Sequence, residues 1–202
     1  MERKKLNVLV NTALLSAISV LLMLVEFPLP MFPPWLKFGF SDVPSIIGGF
    51  AFGPGGAIAI NVIKNLMNIV LKGPSFGGVG ELANLLMGCA VALTATMIYR
   101  KKRTVKGAAV GLAAGVLAGT VAGVIANIYM LVPAAGIGEG TLAGVMTALC
   151  SAVGITGLSP MMSYALIGVV PFNIIKMGAE AIVVLLIYRR VVPLMAGKEK
   201  EK

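Results

Sequence analysis

The stretch Pro171-Phe172-Asn173-Ile174-Ile175-Lys176 lies in the last long apolar segment of the chain, and Glu180 follows one helical turn later. Asn173, Lys176 and Glu180 stand at i, i+3 and i+7, so a helix brings an amide, an ammonium and a carboxylate onto one face. A charged group at bilayer depth costs about 2.5–3.5 kcal/mol on insertion scales, and such groups normally face a partner, a cavity or a ligand. The stretch is therefore predicted to form one wall of a polar pocket. The alternative is a structural pair between Lys176 and Glu180 at i, i+4, which would satisfy both charges but leave Asn173 unexplained.

The composition is that of an integral membrane protein. Hydrophobic residues make up 58% of the 202 residues and charged residues only 12%, and the mean hydropathy is +0.95, well beyond the usual range of a soluble domain. Because a spanning helix needs about 20 apolar residues, we expect an all-α fold of six transmembrane helices in a single membrane domain, residues 1–202, with no soluble catalytic domain. The predicted spans are residues 6–25, 43–53, 57–71, 80–99, 107–132 and 167–188.

The positive charges predict how the chain crosses the membrane. The formal net charge is +9, but the Lys and Arg residues collect in three clusters beside predicted spans, which is the pattern of the cytoplasmic side rather than of a nucleic-acid site. We therefore expect no nucleic-acid partner, an even number of crossings between clusters, and both termini in the cytoplasm. The clusters are Arg3, Lys4 and Lys5; Arg100, Lys101, Lys102, Arg103 and Lys106; and Arg189, Arg190, Lys198, Lys200 and Lys202.

Two long connections are expected on the outside. The first, residues 26–42, contains four prolines, which exclude a helix, while Trp35 and Phe38 are among its aromatic side chains suited to the membrane interface. This loop is predicted to be either an ordered aromatic lid or an interfacial anchor. The second connection, residues 134–166, joins the fifth and sixth spans. Its apolar run 141–154 is too short for a confident span and is predicted to form an interfacial or re-entrant helix.

A polar stripe is predicted on the third segment. Lys64 lies there with three asparagines at helical spacing, so the four side chains share one inward face. We expect Lys64 to form a structural ion pair with Asp42 at the outer end of the second span, and we favour this interpretation over a direct contact with a ligand. Asp42, Lys64 and Glu180 are therefore assigned structural polar roles. The three asparagines are Asn61, Asn65 and Asn68.

Polar side chains from three spans converge at one depth. In the predicted topology Asn84 lies early in a span that starts outside, and Asn127 lies late in a span that ends outside. Asn173 and Lys176 lie early in another span that starts outside. All four fall in the outer half of the membrane, which indicates a small-molecule pocket open to the exterior. An Asn amide is complementary to an imide or lactam edge, and a Lys ammonium donates to a carbonyl oxygen.

Three further residues join the predicted ligand-binding set. Glu81 stands one helical turn before Asn84. Tyr129 follows Asn127 by two residues, and Phe38 belongs to the loop above the pocket. The chain has no histidine, and no catalytic triad, paired carboxylates, metal-ligand cluster or nucleotide motif is recognisable. We therefore expect no catalytic residues, no metal and no enzymatic activity, and inward movement of a bound ligand would require energy from another chain.

Several short motifs together resemble one transporter family. Phe27-Pro28-Leu29-Pro30 follows the first span, Asn127-Ile128-Tyr129 ends the fifth, and Pro171-Phe172-Asn173-Ile174-Ile175-Lys176 opens the last. With Lys37 to Pro44 and Gly73-Pro74, they stand in the order and spacing of the riboflavin-specific substrate-binding (S) components of energy-coupling factor (ECF) transporters. The resemblance runs over nearly the whole chain.

This resemblance implies a six-helix vitamin binder of the cell membrane that docks on a transmembrane coupling protein carrying two cytoplasmic ATPases. It implies riboflavin as a substrate rather than a cofactor, with flavin mononucleotide (FMN) as a second candidate ligand. Asn127, Asn173 and Lys176 match positions that hydrogen-bond the isoalloxazine head, and the first loop matches a cover over the site. Ala13 and Ala17 match the family's Ala-x-x-x-Ala docking motif. The alternative for these alanines is close packing against a helix of the same chain.

Two other functions fit a membrane protein of this size. One is an S component for another vitamin, although a biotin carboxylate or a thiamine cation would require a different charge in the pocket. The other is an autonomous secondary transporter or a membrane enzyme. Inverted repeats with broken helices would indicate the transporter, and none is recognisable. An enzyme would need convergent acid and base groups, whereas the predicted pocket has one nearby carboxylate, Glu81.

Overall fold

Apolar α-helices form nearly all of the fold. The computed structural model describes residues 2–154 and 157–196, so three residues of the predicted basic clusters, Lys198, Lys200 and Lys202, lie outside the described residues. The helices are α1 Glu2–Leu24, α2 Val43–Phe52, α3 Pro54–Lys72, α4 Val79–Lys101, α5 Val105–Ala126 with its continuation Val132–Ala134, α6 Glu139–Val153 and α7 Val170–Ala196.

Five helical stretches in the described part of the chain are long and apolar enough to cross a membrane: Lys5–Leu24, Pro54–Lys72, Ser75–Lys101, Val105–Ala134 and Pro160–Met195. Large apolar side chains lie exposed along all of them, as expected for helix faces that contact lipid tails. The structure therefore supports the predicted all-α, multi-pass membrane protein.

Helix α2 is the short member of the predicted six spans. Its ten residues rise about 15 Å at 1.5 Å per residue, about half the thickness of a hydrocarbon core of ~30 Å. All residues from Val43 to Phe50 are buried, so α2 is enclosed by its neighbours. The count of six crossings and the cytoplasmic position of both termini remain predictions.

Two π-helical turns extend the spans that carry the polar residues. The turn Asn127–Leu131 continues α5, and the turn Tyr164–Val169 joins the helical turn Pro160–Ser163 to α7. The last span therefore begins at Pro160, earlier than the predicted residue 167. Hydropathy missed this start because Pro and Ser interrupt the apolar run, although Pro is favourable in the first turn of a helix.

Glycines on α5 allow two spans to touch. A Cβ at Gly111 would lie 2.7 Å from the Ala95 carbonyl oxygen of α4, and one at Gly115 would lie 2.8 Å from the Val91 carbonyl oxygen. Both contacts are with backbone atoms and leave no room for a side chain. Gly111 and Gly115 therefore form a small-xxx-small pair whose partner helix is α4.

The first loop is more regular than predicted from its prolines. Phe27–Pro28 (β1) and Lys37–Phe38 (β2) pair as two short antiparallel strands, with Phe27 opposite Phe38. The apolar run predicted at 141–154 forms α6, whose Leu142 and Met146 pack in one apolar cluster with Leu36 of the loop. The loop and α6 therefore pack into a single apolar layer.

Candidate ligand-binding site

A cavity of about 570 Å³ lies between the first loop and helices α3, α4, α5 and α7. Its size is within the usual range of small-molecule sites. The structure brings together the four polar residues predicted to share a depth, since Asn84, Asn127, Asn173 and Lys176 all line this cavity. Its apolar walls include Phe172 and side chains of the first loop.

Three amide groups in the cavity wall have hydrogen-bonding capacity that the described residues do not use. The Nδ2 of Asn173 and the Oδ1 atoms of Asn84 and Asn68 are buried atoms without a hydrogen-bond partner in the described chain. Buried polar groups are normally paired, so groups of a cavity wall that have no protein partner are available to a bound molecule. The cavity thus offers at least one donor and one acceptor to a bound molecule.

Lys176 supplies a cation to the same wall. It is only 5% exposed, and among the described residues it forms no ion pair within 4 Å with Glu180. The carboxylates of Glu26, Glu180 and Asp42 are its electrostatic neighbours. The intrahelical pair considered from the sequence is therefore absent. The Oε1 of Glu180 instead accepts a hydrogen bond from the Asp42 backbone N–H at 3.4 Å.

A chain of hydrogen bonds sets the orientation of Asn127. The Trp35 Nε1 donates to the Tyr164 hydroxyl at 2.8 Å, and that hydroxyl donates to the Asn127 Oδ1 at 2.8 Å. The Asn127 Nδ2 donates to the Gly123 carbonyl oxygen at 2.8 Å, which leaves its second N–H for another acceptor. Asn127 and Tyr164 each begin a π-helical turn, and such turns are frequent at functional sites.

A buried ion pair joins the end of the first loop to α3. The Lys64 Nζ is 2.5 Å from the Asp42 Oδ1, and both residues are buried. The predicted pair is therefore present. The asparagines of the α3 stripe, Asn61, Asn65 and Asn68, are also buried. In addition, the Ser19 hydroxyl of α1 donates to the Ser41 carbonyl oxygen, which ties α1 to the end of the first loop.

Comparison with known proteins identifies the family. The model of the family "ECF transporter, substrate-specific component" matches residues 7–188. The chain belongs to this family. It is 35% identical over 194 residues to the riboflavin transporter RibU of Staphylococcus aureus (strain TCH60), covering 93% of this chain and 94% of that protein. It is 34% identical over 190 residues to the riboflavin transporter FmnP of Bacillus subtilis (strain 168), covering 94% of each.

A solved structure supports the same fold for this S component. The structure described as "Structure and mechanism of the S component of a bacterial ECF transporter" superimposes with a TM-score of 0.71 at 33% identity. The match covers 95% of this chain and 98% of that one. Since the relatives are transport proteins, this S component is a transport protein and not an enzyme.

Tyr129 and Phe38, two of the predicted ligand-binding residues, do not line the cavity. Tyr129 is 75% exposed, because residues two apart on a helix point about 200° apart, and Asn127 takes the inward face. Phe38 packs its ring 5.8 Å from Phe27 and 5.5 Å from Phe40. Successive residues of a strand face opposite sides, so Lys37 lines the cavity instead. Both residues are corrections to the predicted site.

Glu81 lines the cavity but is already engaged by protein donors. Its Oε1 accepts from the Asn68 Nδ2 at 3.1 Å, and its Oε2 accepts from the Ser75 backbone N–H at 3.0 Å. Glu26 also lines the cavity, so the prediction of a single nearby carboxylate is wrong. The Glu26 Oε1 accepts from the Ser41 hydroxyl at 2.7 Å.

Several cavity residues were missed because their signal is not local. Trp35 and Lys37 come from a loop that was predicted to be either a lid or an interfacial anchor, and Met87 is one of many apolar residues of α4. Tyr164 was assigned to the outside connection. The one sequence signal for these residues was the aromatic content of the first loop. In the described parts of the chain, no group of three or more Cys, Asp or Glu side chains could hold a metal ion.

The proposed docking alanines lie on the outer surface of α1. Ala13 and Ala17 are exposed, whereas Thr12 and Ser16, on the adjacent face, are buried. Close packing of the two alanines against another helix of the described chain, the alternative weighed from the sequence, therefore does not occur.

Proposed function

We propose that this S component binds riboflavin and delivers it inward when docked on a transmembrane coupling protein that carries two cytoplasmic ATPases. Two relatives, each about a third identical over nearly the whole chain, are named as riboflavin transporters. The fold is that of an S component, a family of transporter subunits. Riboflavin is the substrate in this proposal, and no cofactor is required.

The observation that carries the choice of ligand is the presence in the cavity wall of both an unpaired amide donor, the Nδ2 of Asn173, and an unpaired amide acceptor, the Oδ1 of Asn84. The imide edge of an isoalloxazine ring alternates carbonyl acceptors with an N–H donor, so it can use both. The remaining N–H of Asn127 and the ammonium of Lys176 are further donors to ring carbonyls. The aromatic and methionine side chains of the wall, Trp35, Phe172 and Met87, suit the planar ring.

FMN is included in the proposal as a second ligand. Lys37 lines the cavity on its loop side and is exposed, so its ammonium is available to a phosphate at the end of the ribityl chain. Glu26 lines the same cavity, and its carboxylate repels the negatively charged phosphate of FMN. Parallel titrations with riboflavin and FMN compare these two effects directly.

The proposed orientation has the cavity facing the exterior and both termini in the cytoplasm. The basic residues between α4 and α5 and at the end of α7 lie at the opposite end of the spans from the first loop, as the positive-inside rule requires. In this orientation riboflavin enters beneath the first loop. Ala13 and Ala17 are then the proposed contact with the coupling protein, because small exposed side chains let another helix approach closely.

The deciding experiment is purification of the protein in detergent and titration with riboflavin. We expect a yellow preparation with flavin absorbance, and quenching of riboflavin fluorescence that saturates at one flavin per chain. Thiamine and biotin should not compete. A folded, monodisperse protein that leaves riboflavin fluorescence unchanged, or that loses its flavin to either competitor, would contradict the proposal.

A further inference from the structure

The turn between α3 and α4 has an unusual backbone conformation beside the cavity. Phe76 has φ 50° and ψ 47°, and it is the one non-glycine residue with positive φ in the described chain. This left-handed region disfavours residues with a side chain, and such residues persist only where surrounding contacts hold them. Phe76 lines the cavity while 41% of it remains exposed. Contacts with residues outside the turn are therefore expected to hold Phe76 in this conformation.

Glu81, in the first turn of α4, makes the contacts that hold this turn. Its two carboxylate oxygens accept the Ser75 backbone N–H at 3.2 and 3.0 Å, directly before Phe76. One of them also accepts the Asn68 Nδ2 of α3 at 3.1 Å. Glu81 is only 3% exposed, and hydrogen bonds to an ionised acceptor are stronger than those between neutral groups. A Cβ at Gly80 would lie 2.9 Å from the Ser75 Cβ, so the turn folds tightly against α4.

We propose that Glu81 is a positioning residue of the flavin pocket, which acts through the turn and not by binding the ligand. It joins the end of α3, the turn and the start of α4, and thereby holds the Phe76 ring as one wall of the cavity. This inference rests on the proposed flavin-binding function. Both oxygens of the buried Glu81 carboxylate already accept hydrogen bonds from protein donors. A positioning role therefore accounts for this carboxylate better than a direct contact with the ligand does.

A double-mutant cycle in the full-length protein tests the coupling between Glu81 and Phe76. Glu81→Gln replaces a carboxylate that accepts from two donors by an amide whose NH2 group faces one of them, the Ser75 N–H or the Asn68 Nδ2. The Kd for riboflavin should therefore rise about tenfold, as for the loss of a hydrogen bond to a charged group. Phe76→Ala should raise the Kd by a similar factor. The double variant should bind no more weakly than Phe76→Ala alone, because both changes remove the same wall.

A polarity-reversed pair provides the rescue. In the variant Asn68→Asp with Glu81→Gln, the new carboxylate at position 68 accepts from the new amide at position 81. The carbonyl oxygen of that amide again accepts the Ser75 N–H. We expect the Kd of this pair to return to within about twofold of wild type, a margin within the usual scatter of additivity. Glu139→Gln is the matched control, because Glu139 is an exposed Glu in the first turn of α6, and it should bind as wild type does.

The outcomes separate this inference from the proposed function. If folded wild type does not bind riboflavin, the proposed function fails and this inference fails with it. If wild type binds and Glu81→Gln binds equally well, or if the effects of Glu81→Gln and Phe76→Ala multiply, the positioning role alone is refuted. Should Glu81→Gln not fold, the reversed pair decides: wild-type affinity supports the positioning role. Weak binding by the folded pair, or failure of the pair to fold, overturns it.

Discussion

At the scale of single residues, the site combines fixed and free polar groups. Asn127 is held by Tyr164 and by Gly123, so its orientation is set before a ligand arrives. Asn173 has an unpaired Nδ2, and Lys176 contributes a nearly buried ammonium. Because the fixed group orients the ligand and the free groups gain hydrogen bonds only on binding, the free groups should dominate the affinity.

Truncating either free group should weaken flavin binding. We expect Asn173→Ala and Lys176→Ala each to cost about 1–3 kcal/mol, the usual penalty when a buried polar partner is left unsatisfied. Quenching of riboflavin fluorescence in detergent measures the loss. The controls Leu14→Ala and Lys101→Ala change exposed residues outside the cavity and should bind as wild type does. Wild-type affinity in both site variants would refute the pocket assignment.

The ion pair between Asp42 and Lys64 should govern stability. Removing one partner of a buried pair leaves an uncompensated charge, so Lys64→Met should cost about 3–5 kcal/mol. The double variant Asp42→Asn with Lys64→Met should be more stable than Lys64→Met alone, because no charge is left unpaired. Thermal unfolding of the ligand-free protein in detergent measures both. A double variant with a lower Tm than the single one would contradict this account.

At the scale of elements, the close contact of α4 with α5 depends on glycine. Gly111→Ala would place a methyl group 2.7 Å from the Ala95 carbonyl oxygen, and backbone cannot move aside as a side chain can. We expect a loss of about 1–3 kcal/mol, the usual cost of overpacking, seen as a lower Tm. Gly144→Ala on α6 is the matched control, since nothing lies within 4 Å of its Cβ position, and its Tm should not fall.

Gly123 links the packing of α5 to the ligand site. A Cβ there would lie 2.5 Å from the Asn173 Nδ2 and 3.0 Å from the Met87 Sδ. Because side chains can shift, Gly123→Ala should displace the Asn173 amide and raise the riboflavin Kd on the order of tenfold, the loss of one buried hydrogen bond. The Tm of the ligand-free protein should change less than in Gly111→Ala. Unchanged riboflavin affinity in Gly123→Ala would show that binding does not depend on the observed position of the Asn173 amide.

At the scale of the whole molecule, the ligand site and the proposed docking surface lie on different parts of the structure. The cavity is formed by the first loop, by four helices and by Met23 at the end of α1, whereas Ala13 and Ala17 are exposed farther along α1 and do not line it. A change on the α1 surface should therefore separate transport from binding.

Replacing both alanines with tryptophan should preserve riboflavin binding by the isolated protein. It should also abolish ATP-dependent uptake and co-purification with the coupling protein and the ATPases, because bulky side chains prevent close approach of another helix. The control is Ala113→Trp, an exposed alanine on α5. Loss of flavin binding in the Ala13/Ala17 variant would show that these alanines are needed for packing within the chain. A stable complex with normal uptake would show that the coupling protein docks on another surface.

The features that could be predicted from the sequence depend on local patterns. Hydropathy identified α2 as a short apolar segment, and helical spacing and charge identified the buried stripe on α3 and the pair between Asp42 and Lys64. Depth within predicted spans was enough to bring Asn127, Asn173 and Lys176 to one cavity. These results follow because the bilayer thickness sets where each residue of a spanning helix lies along the membrane normal.

Only the tertiary structure decided which way each helix is rotated and which groups meet across it. The Asn127 Oδ1 accepts a hydrogen bond from Tyr164, 37 residues away. Both residues lie in π-helical turns that no local sequence pattern predicted. The rotation of the helix that turns Asn127 inward also turns Tyr129 outward. Glu81 was predicted as a ligand contact, but the fold of the α3–α4 turn gives its carboxylate to the Ser75 N–H. Rotation and register are selected by the packing of the whole bundle, in which glycines such as Gly111 set the distance between helices, so they are not encoded in the periodicity of any one segment.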